Sequence, residues 1–328
     1  MANVDTNVTH PPHPTDAQAS LWDSNREDTS PAAEWDKDSV RRSLDELFSL
    51  ARQYRSSKDY QELIRFVARF RWYAPFNAML VHIQMPGATF VAPPHRWLSE
   101  YGRRVTAGAR PLVILQPMGP VMFVFDVADT EPDPKCEESS LPREVEHPFE
   151  VRRGKIRGEL TQTIENAKRD GVAVAECQAG SQSAGLIRVA EGKKLKVFVK
   201  LRPKAEFEWV LQRFELLLNE DHSTETMYAT LVHELGHLYC GHLGTPDDTW
   251  WPDRRGLPDD VCEFEAESIC YLVCSRLRVE NPSDVYLSRY LGNQEEIPPI
   301  SLDCLMKAAG LIEQMGRERL KPRKKTER

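Results

Sequence analysis

The chain has 328 residues and a formal net charge of −7, which is length enough for one large core or two modest ones. That acidic balance argues against a protein that coats nucleic acid over its whole surface, and leaves room only for a local basic face. No run approaches the roughly 18 apolar residues of a membrane helix. The polar opening MANVDTNVTHPPHP lacks the charged-then-apolar order of a secretory signal, so a cytoplasmic protein without a membrane partner is expected.

In chain order, residues 1–35 are rich in Pro, Thr, Asp and Asn and carry too few large apolar groups to offset the entropy of ordering them. They read as a disordered arm. From Asp36 the pattern turns helical, with Val40, Leu44, Leu47, Phe48 and Ala51 on one face. A helix over Asp59 to Trp72 follows, with Leu63, Phe66, Val67 and Phe70 inward, then a short one from Pro75 to Gln84. After Pro86-Gly87 the period changes: TFVA, RPLVIL and VMFVFDV read as strands, punctuated by Pro93-Pro94, Gly108 and Gly119-Pro120. Residues 36–128 thus make a small α+β unit. The acidic, proline-rich stretch 129–148 reads as a solvated linker and places the domain boundary.

The second unit, 149–320, opens with a helix near Leu160 to Arg169. Strands follow around Ala173 to Glu176, Gly185 to Val189 and Lys196 to Val199, and helices dominate from there to Leu320. Residues 321–328 form a basic tail. The expected fold class is α+β, a small α+β domain followed by a mainly helical domain with a short sheet. Seven cysteines form no CxxC pair and no even framework, which suits reduced thiols.

The chemistry concentrates in TETMYATLVHELGHLY, residues 224–239. Met227, Leu231, Leu235 and Leu238 make the core stripe of one helix. His233 and His237, one turn apart, project from the same face at a spacing that grips one zinc ion, with Glu234 beside them as general base. A second helix, VCEFEAESICYLVCSRL, is announced by Pro258 and Asp259-Asp260. Glu263 and Glu267 share one of its faces, while Glu265 points about 160° away from Glu263. Glu263 is the expected third ligand. Glu267 can hold a ligand histidine by its far nitrogen. His242, beyond the helix-ending Gly241, competes for the vertex or sits beside the ligands, and Asp247 or Asp248 are further alternatives. Three protein ligands leave a position open for a water activated toward peptide hydrolysis. Arg254, Arg255, Tyr239 and His242 are candidates to stabilise the oxyanion.

Between residues 63 and 120, seven arginines (65, 69, 71, 96, 103, 104, 110) face Glu100 alone, interleaved with Trp72, Tyr73, Phe76, Trp97 and Tyr101. Arginines that neutralise phosphates beside rings that stack on bases suit a single-strand binder. The same pattern also suits a solvated basic face over a small aromatic core.

The segment HELGHLYCGH followed by EFEAESICYLVCSRL resembles the zinc-peptidase domain of ImmA/IrrE-like and ArdC-type proteins. This resemblance implies a zincin-like metallopeptidase domain whose ligands are His233, His237 and Glu263. In front, NAMLVHIQMPGATFVAPPHRWLSEYGRRVTAGARPLVILQPM is similar to the single-stranded-DNA-binding domain of ArdC-type antirestriction proteins. There Asn77, Gln84 and Gly102-Arg103-Arg104-Val105 with Gly108 stand at recurring positions. A Glu-Lys-Gly-like run would follow Gly108, where this chain has Ala109-Arg110-Pro111. The implied DNA-binding set is Arg71, Trp72, Asn77, Gln84, Trp97, Arg103, Arg104 and Arg110. The expected function is a single-stranded-DNA-binding zinc metallopeptidase of the antirestriction or mobile-element type, acting on a protein or peptide. Two further readings share these residues: a DNA-covering protein with a structural zinc, and a regulatory peptidase that cleaves a repressor.

Overall fold

The computed structural model describes residues 54–116, 119–136, 138–142, 145, 154–178, 184–200, 204–280 and 283–323. The expected N-terminal arm, the helix expected from Asp36 and most of the basic tail lie outside these residues. The connector 129–148 is described only in part. The architecture is mixed α+β, with small sheets in the N-terminal half and a mainly helical C-terminal region.

Helix α1 (Ser57–Arg69) begins at Ser56, whose hydroxyl accepts the Asp59 N–H, and turns Tyr60, Leu63, Ile64 and Val67 inward. Helix α2 (Pro75–Gln84) carries proline at its first position, where the missing N–H costs nothing. Helix α3 (Pro94–Tyr101) starts the same way and occupies a stretch read above as punctuation between strands. It stops at Gly102, with φ 59°, where a Cβ would stand 2.2 Å from the Glu138 carbonyl oxygen. Only glycine fits there.

Strands β1 (Val91–Ala92), β3 (Leu112–Gln116) and β4 (Gly119–Asp126) form an antiparallel sheet in the order β1-β4-β3, while β2 (Arg103–Val105) pairs with β5 (Thr130–Pro132). Two side-chain amides on α2 complete β3 along its open edge. Asn77 accepts the Leu115 N–H and donates to the Leu115 carbonyl, and Gln84 does the same for Val113. Each amide presents one donor and one acceptor, as a neighbouring strand would.

After α4 (Glu159–Ala167), a second sheet combines β6 (Val172–Cys177), β7 (Gly185–Val189) and β10 (Phe214–Asn219). β10 lies in the centre, parallel to β6 and antiparallel to β7. A ribbon of β8 (Lys194–Lys200) and β9 (Glu206–Leu211) continues the β7–β10 pair. Helices were expected beyond Val199, but residues 206–219 are strands. Phe214, Leu216 and Leu218 are buried at every second position, the period of a sheet.

The C-terminal region holds α5 (Thr224–Tyr239), α6 (Asp259–Arg276), α7 (Ser283–Asn293) and α8 (Leu302–Arg317). α6 packs against α5, α1 and α8, and α8 also against α2. One hydrophobic cluster accordingly runs from Tyr60 and Leu63 through Leu235 and Phe264 to Leu305 and Ile312. The Tyr60 hydroxyl donates to Ser268 Oγ at 2.7 Å. Buried Arg276 pairs with Glu313 and donates to the carbonyls of Val67, Phe70 and Tyr73, closing the C-terminal end of α1 onto the later helices. All seven cysteines are free. Among the described residues no helix is long and apolar enough to cross a membrane.

Candidate metal centre

Helix α5 is capped by Ser223, whose hydroxyl accepts the Thr226 N–H. Leu231, Leu235 and Leu238 are buried, leaving His233, Glu234 and His237 half-buried on the opposite face. α6 crosses that helix at Gly236, where Ala266 comes close enough that a Cβ on Gly236 would stand 3.3 Å from its Cα. This close approach carries Glu263, one turn earlier on α6, over the two imidazoles.

His233 Nε2 and His237 Nε2 stand 3.2 Å apart. Glu263 offers one carboxylate oxygen 3.5 Å from His237 Nε2 and the other 3.6 Å from His233 Nε2. Tetrahedral zinc with nitrogen and oxygen donors at about 2.0–2.2 Å has donor-to-donor edges of about 3.3–3.6 Å. The two imidazole nitrogens and the Glu263 carboxylate, which turns one oxygen toward each ring, form a candidate metal-binding group whose ligand atoms lie within 4.8 Å of one another. The Glu263 side chain is 52 % exposed, so this face is open to water. Glu267 places Oε1 3.8 Å from His233 Nδ1, outside hydrogen-bond range, so the expected hydrogen bond to this ligand histidine is not made here.

Burial drives the His237 pKa down to about 3, helped by His233 and His242, so the ring is neutral, the form that binds metal. Glu234 is adjacent and accepts the Ile187 N–H from β7 at 2.9 Å. Burial pushes its carboxyl above the ordinary range, against the pull of His233 and that N–H. Among the described strands β7 lies at the edge of its sheet, so Glu234 is bonded to an edge strand.

The end of α5 is a complete left-handed cap. Gly241, at φ 81°, donates to the Leu238 carbonyl, and the His242 N–H reaches back to the His237 carbonyl. A Cβ at Gly241 would stand 1.9 Å from the Pro252 carbonyl oxygen, so no other residue fits. The cap folds the His242 ring onto His237, with their Nδ1 atoms 3.0 Å apart. Its Nε2 lies 2.8 Å from Glu265 Oε2. Glu265 is fully buried and takes both Arg254 nitrogens, at 2.7 and 2.8 Å, plus the Ser301 N–H at 2.7 Å. Burial raises this carboxyl, but the bonds from His242, Arg254 and Ser301 outweigh it and hold it below the usual range.

Residue 265 thus points away from the three donors, and its partners come from a loop and from the start of α8, distant in sequence. Cys240, His242 and Glu265 also bring three donor atoms together. There Arg254 covers both Glu265 oxygens and burial keeps the Cys240 thiol protonated, so this is a hydrogen-bond network. Of the other oxyanion candidates, the Tyr239 hydroxyl donates to buried Asp170, and Arg255 pairs with Asp253 at the surface. The Asp247 carboxylate holds Thr249 within its own loop.

The front-half residues separate into two groups. Trp97 is wholly buried with Phe90 and Ala92, its indole N–H on the Phe125 carbonyl. Asn77 and Gln84 are engaged with β3, and Trp72 packs against Phe90. Arg103 donates to Thr130. Arg104 and Arg110 are exposed, Arg104 beside Glu131, and Arg71 is half-buried.

No protein-family model and no curated protein matches the chain. Solved structures similar to it include the metal-free and Mn(II)-bound crystal structures of the antirestriction protein ArdC from plasmid R388. Both are 13 % identical and cover 78 % of this chain, with 94 % and 93 % of their own lengths and TM-scores of 0.31 and 0.30. A likeness of that size is distant and carries no functional weight.

Proposed function

We propose that this chain is a zinc metallopeptidase in which His233, His237 and Glu263 hold the ion and Glu234 handles the proton. The observation that carries this reading is the convergence of His233 Nε2 and His237 Nε2, 3.2 Å apart, under a Glu263 carboxylate whose two oxygens lie 3.6 and 3.5 Å from them, on a face left open. A zinc ion held there would lower the pKa of a bound water to about 7 and would polarise a carbonyl.

The chain's own residues supply the rest. Glu234, raised by burial, is suited to accept a proton from water at the open face and return it to the leaving amine. Edge strand β7 offers backbone groups for an extended peptide, and the Ile187 N–H on Glu234 brings that edge to the base. The substrate class this favours is an extended polypeptide segment. Single-stranded DNA as a second partner, of the antirestriction type, is supported by the exposed Arg104 and Arg110 and by the sequence resemblance of the front half.

The test is elemental analysis beside peptide hydrolysis. One zinc per chain is expected in wild type and in Glu234→Gln, with hydrolysis lost in the variant. A Glu234→Gln protein as active as wild type would overturn the assignment.

A further inference from the structure

Glu265 and His242 are buried polar groups with no part in the chemistry proposed above, yet they end on a ligand histidine. We infer that Glu265, His242 and His237 form a hydrogen-bonded relay in which Glu265 and His242 are positioning residues that fix which nitrogen of His237 faces the ion. The inference rests on the metal-site reading and adds a route by which groups outside the site set its affinity.

The order of donors and acceptors follows from one end. Glu265 receives two guanidinium N–H groups from Arg254 and the Ser301 N–H, an arrangement built around a carboxylate that only accepts. His242 Nε2, 2.8 Å away, must therefore donate to it. A neutral imidazole carries a single N–H, so His242 Nδ1 is left as an acceptor. His237 Nδ1, 3.0 Å from it, must then be the donor in that contact. With its N–H on Nδ1, His237 presents a bare lone pair on Nε2, the atom that stands 3.2 Å from His233 and 3.5 Å from Glu263. With Glu265 an acceptor and His242 neutral, each contact admits one direction; a doubly protonated His242 would reverse the contact to His237.

Local backbone geometry makes the relay possible. The glycine cap at Gly241 is what turns the residue five positions after His237 back onto it. The Gly241 carbonyl in turn accepts the Arg254 N–H, seating the guanidinium that anchors Glu265. The side-chain relay and the backbone cap thus share the same few residues. A carbonyl or carboxylate usually holds the far nitrogen of a ligand histidine directly; here a second imidazole is interposed between ligand and carboxylate.

The experiment uses full-length protein with labelled histidines. In the metal-free wild type at neutral pH, ring nitrogen shifts of His237 should report the proton on Nδ1. His242→Leu removes the acceptor and should move His237 toward a mixture of tautomers. The same substitution should weaken zinc binding, measured by chelator competition, by at least about tenfold. His242→Gln, whose amide oxygen can accept the same N–H, should recover most of that loss. A thermal midpoint taken on each sample separates positioning from loss of fold. Zinc affinity in His242→Leu equal to wild type, or a wild-type His237 protonated on Nε2, would overturn the relay. A wild type with the expected tautomer that takes up no zinc would instead sink the metal site and leave the relay standing.

Discussion

A Cβ placed on Gly236 would stand 3.3 Å from the Cα of Ala266 and 3.5 Å from Ile269 Cδ1. That contact sets the distance between α5 and α6, and so sets where Glu263 can reach. Gly236→Ala gains helix propensity of about 0.5–1 kcal/mol against a slight crowding, and should leave stability near wild type with zinc retained. Gly236→Leu must push the helices apart, at about 1–3 kcal/mol, and should lose zinc while still folding. Urea titration with metal analysis on both variants measures this.

Arg276 ties the front helices to the rear ones. Replacing it with Ala would orphan the carbonyls of Val67, Phe70 and Tyr73 and leave buried Glu313 with only Arg317, 3.5 Å away, as a cationic partner. Loss of one member of a buried ion pair costs about 3–5 kcal/mol, and denaturant midpoints should fall accordingly. Because the arginine lies far in sequence from α1, the loss should register as a single transition shifted as a whole.

Acid should weaken the metal-free protein through His237. Its folded pKa, about 3, lies below the ordinary 6.5 because burial disfavours the charged ring. Above 6.5 the ring is neutral in both states and contributes no pH dependence. Between 6.5 and 3 the unfolded chain takes a proton that the folded chain refuses, so stability falls as pH falls, by up to about 1.4 kcal/mol per pH unit. Glu234, whose carboxyl is raised, works in the opposite sense, favouring the folded state as it protonates. Comparing wild type with His237→Gln from pH 7 to 5 isolates the histidine: the wild type should lose more stability over that range.

Asn77 and Gln84 should behave as parts of the sheet. Asn77→Leu or Gln84→Leu removes two hydrogen bonds to β3 and leaves an N–H and a carbonyl unmatched, at about 1–3 kcal/mol each. Oligonucleotide affinity per folded molecule should stay at the wild-type level in both, while Arg104→Ala with Arg110→Ala should lower it and flatten its salt dependence.

Local pattern made much of this molecule legible. The apolar stripe of α5 defines residues 224–239, and the i, i+4 spacing of His233 and His237 marks the candidate metal group. On α6, the angle between Glu263 and Glu265 separates the carboxylate that meets the imidazoles from the one that does not. What Glu265 does instead was not legible, since Arg254 and Ser301 reach it through tertiary packing alone. The strands at 206–219 did carry a signal: Phe207, Trp209 and Leu211, then Phe214, Leu216 and Leu218, alternate with period two. Pro94 and Gly102 similarly bracket α3, a helix start and stop that the neighbouring strand-like runs obscured. The aromatic and arginine-rich front half was ambiguous in principle, because composition does not tell a stacking ring from a buried one. Trp97 proved to be wholly buried.

The most direct test of the central claim is a crystal structure of the zinc-loaded protein with anomalous data at the zinc edge. His233 Nε2, His237 Nε2 and a Glu263 oxygen should each lie about 2.0–2.2 Å from one ion, with the fourth position facing solvent. An ion bound elsewhere, or one held by the histidines with Glu263 turned away, would contradict the account.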